Sequence, residues 1–214
     1  MKLKVLRLLF YFLFYLALAY YSYLMLLITL QYVPLRFDVA FLRIKTDEIQ
    51  HTYYQVAFFT HVYTSMFVLI SGALQFIPGL RKQFPKFHRS VGYVYILVLL
   101  LFSGPSGIIM GIEANGGIYS QISFTLLGIL WMIFTAKALI AIKNGNWESH
   151  QKFMLRSYAL TLSAISLRLI KQFLANTYSL PPMDMYKIVA WAGWVVNLII
   201  VELYIFYRFR HKRT

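Results

Sequence analysis

The sequence predicts an all-α membrane protein: six transmembrane helices in one bundle, with both termini cytoplasmic. Three observations predict it. Apolar runs of about 20 residues or more recur along the chain, and at about 1.5 Å per residue each matches the roughly 30 Å hydrocarbon core of a bilayer. Hydrophobic residues make up 60% of the 214, and mean hydropathy is +0.63, a composition far more apolar than soluble domains show. The charges fall between the runs, with 21 Lys plus Arg against 7 Asp plus Glu. In a soluble chain that excess would point to nucleic acid. Here the cations cluster at the ends of apolar stretches, so the charge reports topology and no nucleic-acid partner is expected.

The elements follow in order. Lys2, Lys4 and Arg7 open the chain, and an apolar run continues from Leu8 to about Leu30. A secretory signal has an apolar region of only about 7–15 residues, so this is read as an uncleaved first span, about Lys4–Leu30. A polar segment, Gln31–Gln50, follows, with Pro34 as a breaker; its alternation of Leu35, Phe37, Val39, Phe41, Leu42 and Ile44 fits either a short interfacial element or an edge-like strand. Span two is about Thr52–Ile77, stopped by Pro78–Gly79, and a basic loop Leu80–Phe87 carries Arg81, Lys82 and Lys86. Span three is about His88–Gly111, with a kink expected at Gly104–Pro105. Asn115–Gly116–Gly117 makes a tight turn. Span four is about Ile118–Ile142, Lys143–Ser149 is a polar loop, span five is about His150–Ala175, Pro181–Pro182 end the next loop, and span six is about Met185–Phe209. Two regions result: residues 1–50, the first helix with an external loop, and residues 51–214, a five-helix core.

Orientation follows from the positive-inside rule. With the N-terminus in the cytoplasm, 15 of the 21 Lys and Arg fall inside: Lys2, Lys4, Arg7, Arg81, Lys82, Lys86, Arg89, Lys137, Lys143, Lys152, Arg156, Arg208, Arg210, Lys212 and Arg213. Outside lie 5: Arg36, Arg43, Lys45, Lys171 and Lys187. Six spans require both termini on one side, and the expected home is the bacterial inner membrane.

Cysteine is absent, which excludes disulfides, Cys-ligated zinc or iron–sulfur clusters and covalent c-type haem. No phosphate loop, Gly-rich dinucleotide turn or H-E-x-x-H helix is present, so no enzyme of the usual soluble kinds is expected. Ser103, Gly107 and Gly111 recur every fourth residue on span three, a small-residue face that admits a close helix neighbour.

Polar side chains inside spans are costly and mark function. His61 and Arg168 share a level toward the outer side, on spans two and five. A second set lies toward the cytoplasm: Gln75, His88, Lys137, His150, Arg156 and Glu202, the last two placed for an ion pair. His88 and His150 both sit where a helix begins on the same side. The positive end of a helix dipole favours neutral imidazole, the form that ligates metal or haem iron. Arg89 and Arg156 are placed to face haem propionates or lipid phosphates. The expectation is a bis-histidine site for haem b or another metal at His88 and His150, held against two others: interfacial hydrogen-bonding histidines, or an anion site built from two helix starts. His61 with Arg168 would form a separate site for a polar substrate, a quinone headgroup or a proton path. His51 and His211 are assigned no role.

Several motifs recur in a fixed order: Gly72-x-x-Gln75-Phe76, His88-Arg89-x-x-Gly92-x-x-Tyr95, Gly116-Gly117, His150-x-x-x-Met154-x-Arg156-Ser157-Tyr158-Ala159-Leu160-Thr161, Leu167-Arg168, Trp194-x-x-Asn197 and Glu202. In these the chain resembles a bacterial family of predicted multi-pass membrane proteins with a domain of unknown function, over about residues 56–206. The usual Trp before the Met of the fifth-span motif is Phe153 here. The resemblance implies that His61, His88, His150, Arg156, Arg168 and Glu202 occupy positions characteristic of that group. Some bacterial histidine-bearing helix bundles of this size are b-type cytochromes, but the pattern of two spaced histidines on one helix occurs in no span here.

Three functions fit these readings. One is electron transfer by a membrane haem protein with His88 and His150 as axial ligands. Another is a non-catalytic accessory or assembly subunit that contacts lipids and other membrane subunits. The third is a proton-coupled transporter using His61, Arg168 and Glu202, disfavoured because no inverted repeat is visible. The depth of His61, far from the inner pair, speaks against a three-histidine metal hydrolase.

Overall fold

The computed structural model describes residues 2–77 and 79–210. The helix stop at Pro78 and the tail residues His211, Lys212 and Arg213 lie outside the described residues, as do the side chains of Lys2, Lys4 and Arg7. The described chain is helical, with no strand. The helices are α1 (Lys2–Leu30), α2 (Thr52–Gln75), α3 (Leu80–Gln83), α4 (Pro85–Val98), α5 (Gly104–Ile112), α6 (Ile118–Lys143), α7 (Trp147–Thr161), α8 (Ser163–Thr177) and α9 (Pro182–Arg210). A π turn, Leu99–Ser103, joins α4 to α5, so that Pro85–Ile112 crosses as one element. Five elements are long and apolar enough to span a membrane, and six if the bent pair α7 and α8 counts as one.

The chain divides into two compact units, Met1–Ile49 and Gln50–Thr214. In the first unit, α1 presents apolar side chains on all sides, among them the consecutive Leu8, Leu9, Phe10 and Tyr11. The polar segment after it takes no strand and is built of short elements, the first of the two expected alternatives. It forms two short 3-10 turns, Ala40–Ile44 and Glu48–Gln50. Lys45 is 1% exposed and reaches Glu48 at 2.6 Å. That bond explains how an ammonium is tolerated under cover.

The second unit is a bundle held by close helix contacts. A Cβ on Gly111 would stand 2.8 Å from the Thr125 backbone, and one on Gly128 2.8 Å from the Ile108 side chain. Glycine at both points therefore lets α5 and α6 approach nearly backbone to backbone, as the small-residue face predicts. Between α6 and α7 the Gly145 backbone, at φ 72°, closes the helix end, and the Asn146 N–H reaches back to the Ala141 carbonyl at 2.8 Å. Asn146 then caps α7, its side chain accepting from the Ser149 N–H at 3.0 Å.

Two expectations need correcting. The basic loop after span two is not irregular: it contains the one-turn helix α3. Just before Gly104–Pro105, where a kink is expected, the helix takes the π turn, and Pro105 brings no N–H to the helix ladder. Span five is not continuous: α7 and α8 break at Leu162 and diverge by 42°. The break is held from α9. Asn197 donates its Nδ2 to the Ala159 carbonyl at 3.0 Å and accepts from Ser166 Oγ at 2.9 Å. One amide side chain thus satisfies groups on both sides of the interruption.

Candidate functional site

At the end of the bundle where α4 and α7 begin, His88 lies in the first turn of α4 and His150 in the first turn of α7. The two imidazoles are close enough to interact electrostatically, and the charge of Arg81 on α3 reaches both. His150 Nδ1 stands 2.9 Å from the Ala138 carbonyl on α6. A carbonyl oxygen only accepts, so Nδ1 carries the proton and Nε2 keeps its lone pair. This carbonyl-anchored tautomer is the one that ligating histidines adopt. His88 differs: its Nδ1 is buried and makes no hydrogen bond to a described residue. Gln75 at the end of α2 donates to the His88 backbone carbonyl at 3.1 Å and so fixes the start of α4. Arg81 covers the Trp147 ring at 5.6 Å, tying α3 to the start of α7.

Arg89 is exposed beside His88. Arg156 is engaged elsewhere. Its Nε and Nη2 donate to the two carboxylate oxygens of Glu202 at 2.5 and 2.8 Å, the expected α7–α9 ion pair in bidentate form. Phe153 lies under Arg156 at 5.4 Å and under Lys137 at 5.6 Å, so one ring serves two cations.

Further into the bundle sits a buried hydroxyl network that the sequence reading assigned no role. Tyr95 Oη meets Ser157 Oγ at 2.7 Å and Thr161 Oγ1 at 3.0 Å. Thr135 Oγ1 meets Ser157 Oγ at 2.6 Å, and Trp131 Nε1 donates to Thr161 Oγ1 at 3.0 Å. The signal for it was present in the spacing. Tyr95 stands seven residues after His88, and Ser157 seven after His150. Seven residues are about two helical turns, so both lie on the histidine-bearing faces about 10 Å deeper. Gly72 seals the network's edge: a Cβ there would stand 2.5 Å from the Tyr158 ring and 2.8 Å from the Tyr95 ring.

His61 and Arg168 occupy the other half. His61 Nδ1 lies 2.9 Å from the Ser103 carbonyl at the end of the π turn, and Thr64 Oγ1 meets Ser103 Oγ at 2.8 Å. Arg168 on α8 acts on His61 electrostatically and donates Nη1 to the Ala164 carbonyl at 2.6 Å. The structure therefore joins Arg156 to Glu202 directly, while His88 with His150 and His61 with Arg168 lie within electrostatic reach of each other. Asn197 serves the helix break.

These features define an all-helical protein of the multi-span membrane class. A family model described as Predicted membrane protein (DUF2306) matches residues 58–205, and the chain belongs to that family. The chain is also similar to "Ava biosynthesis cluster protein G" of Aspergillus versicolor, 28% identical over 114 residues, which are 49% of this chain and 33% of that protein. The match thus spans about a third of that relative's length. No solved structure matches.

Proposed function

We propose that the protein is an electron-transfer protein of the bacterial inner membrane. In this reading His88 and His150 are the axial ligands of a b-type haem at the cytoplasmic side. The observation that carries it is the placement of the two imidazoles in the first turns of α4 and α7, with His150 Nδ1–H anchored on the Ala138 carbonyl and Nε2 left with its lone pair. The donor set fits this group. Among the described residues no three His, Cys, Asp or Glu side chains gather for a metal. A structural zinc asks for four protein ligands and a catalytic one for three, whereas haem asks for two because the porphyrin supplies the rest. When bound, the group supplies one-electron transfer. The chain's own residues do the holding. The Ala138 carbonyl fixes the His150 ring, Gln75 fixes the turn that carries His88, and Arg81 and Arg89 are the cations nearest for propionates. Arg156 is the weaker propionate partner, because Glu202 already takes two of its donors. Both termini lie in the cytoplasm, as the uneven distribution of Lys and Arg favours.

The test is the absorption spectrum of protein extracted from haem-replete membranes. A Soret band that disappears in His88→Ala and in His150→Ala is expected. A colourless wild-type preparation with no bound metal by mass spectrometry ends this reading.

One observation favours a second role, as an accessory subunit of a larger membrane complex. Within its own unit α1 exposes large apolar side chains, among them Phe10, Phe12 and Leu16, a surface that lipid or another subunit can cover. Purification in mild detergent should then yield stoichiometric partners that are lost when residues 2–30 are removed.

A further inference from the structure

Two cations from different helices share one ring on the side of the bundle where α6 packs on α7. Lys137 Nζ on α6 stands 5.6 Å from the centre of the Phe153 ring, and Arg156 Cζ on α7 stands 5.4 Å from it. Phe134 of α6 stacks on the same ring at 6.3 Å. Helix direction brings the cations together. Side chains lean toward the N-terminus of their own helix. Lys137, six residues before the end of α6, therefore leans inward, and Arg156, nine residues after the start of α7, leans back toward the rim.

Charge is left over at this point. Glu202 accepts from Nε and Nη2 of Arg156, which uses two of the five guanidinium N–H groups. Lys137 is exposed, and among the described residues no carboxylate pairs with it. Two cations against one carboxylate leave one positive charge, with three guanidinium and three ammonium N–H groups still to be given an acceptor.

Depth and surroundings say what can supply it. The 26 residues of α6 rise about 39 Å, more than the roughly 30 Å hydrocarbon core. With α6 centred in the core, the Lys137 backbone lies about 5 Å inside its edge, and the lysine stem carries the ammonium back to headgroup level. Ile133 and Ile140, one turn to either side on the same face of α6, are exposed. Free phosphate meets the cations and leaves those side chains bare. A zwitterionic phospholipid brings its own cation and offers no net charge to the site. An anionic phospholipid brings one uncompensated phosphodiester and acyl chains. We propose that Lys137, Phe153 and Arg156 form a binding site for one anionic phospholipid between α6 and α7. Its phosphodiester oxygens accept from Lys137 Nζ and from the remaining N–H groups of Arg156, while Glu202 holds the guanidinium in place. Its acyl chain runs along α6 past Ile133. The site does not depend on the paired imidazoles.

The experiment uses the full chain in mild detergent, with dioleoyl phosphatidylglycerol as the probe. Dioleoyl phosphatidylcholine and sodium phosphate are the comparison ligands, and native mass spectrometry counts what stays bound. Retention of about one phosphatidylglycerol per chain, above phosphatidylcholine and undisturbed by sodium phosphate, is expected. Lys137→Gln should weaken retention about fivefold, and Lys137→Arg should restore it. Phe153→Leu should weaken it with the charge unchanged. Lys82→Gln makes the same change of charge on α3 and should bind like wild type, which separates a built site from the general attraction of a basic chain. The Soret band recorded on the same samples should persist in Lys137→Gln and so separates this site from the haem reading. If Phe153→Leu does not fold, the two Lys137 variants carry the test. Equal retention of both phospholipids, equal loss in Lys82→Gln and Lys137→Gln, or displacement of the lipid by sodium phosphate would overturn the proposal.

Discussion

Two imidazoles in this bundle, His150 and His61, donate Nδ1–H to a backbone carbonyl of a neighbouring helix at the same 2.9 Å, and their surroundings then diverge. His150 has a second imidazole within electrostatic reach, next to Arg81 and the edge of the bundle. His61, nine residues from the start of α2, has Arg168 of α8 as a charge within electrostatic reach. The shared anchor fixes one tautomer in both rings, and the group within reach of each ring differs. In the function proposed above, His150 Nε2 is one of two ligands to haem iron; His61, with a cation instead of a second imidazole in reach, is not placed for that role.

Four measurements break or sharpen that contrast. The largest effect is expected at the α7–α9 pair that borders the paired imidazoles. Arg156→Gln alone should cost about 3 kcal/mol, because Glu202 is left charged without its partner at membrane depth. The double change with Glu202→Gln should cost less than either single change. Thermal unfolding in detergent reads both, and an additive double mutant would show that the pair is not coupled.

Next in size is Gly72→Ala. Its Cβ meets two rings at 2.5 and 2.8 Å, and overpacking of this kind costs about 2 kcal/mol. Because Tyr95 and Tyr158 must move, the damage should fall on the half around the hydroxyl network and leave amide exchange near His61 unchanged. Equal loss in both halves would mean that they unfold as one cooperative unit.

Tyr95→Phe removes one hydroxyl from a buried network and should cost about 1 kcal/mol. Thr135→Val should cost about as much and, combined with Tyr95→Phe, less than the sum. Both hydroxyls bond Ser157 Oγ, so the two losses share one partner.

The smallest effect serves as a control outside both halves. Burial pushes the Glu48 carboxyl up, but the Lys45 hydrogen bond and charge outweigh it and hold Glu48 below the usual carboxylate range. A carboxyl lowered by folding stabilises the folded form above its unfolded pKa. That stability is lost as pH falls through the lowered folded value. Acidification should therefore loosen the turn at Ala40–Gln50 by less than about 1 kcal/mol, seen as faster amide exchange there, with the Soret band unchanged. Glu48→Gln should abolish this pH dependence.

The spans were legible because a bilayer demands length and hydropathy, and both are properties of contiguous residues. The helix starts that carry His88 and His150 were legible for the same reason, and each ring does stand in a first turn. The Arg156–Glu202 pair came from the same counting. What counting cannot supply is azimuth, the direction a side chain takes around its helix. The hydroxyl network of Tyr95, Thr135, Ser157 and Thr161 depends on four side chains from three helices pointing inward at once.

By itself, then, the chain determined an all-helical, multi-span protein with polar residues at two depths, because hydrophobic length and helical rise are read one residue at a time. Only the tertiary structure decided which carbonyl each imidazole holds, that span five breaks at Leu162, and that Asn197 closes the break. Those outcomes depend on which helices meet and how near they come. Gly111, Gly128 and the π turn at Leu99–Ser103 set that approach, through contacts between residues far apart in the chain.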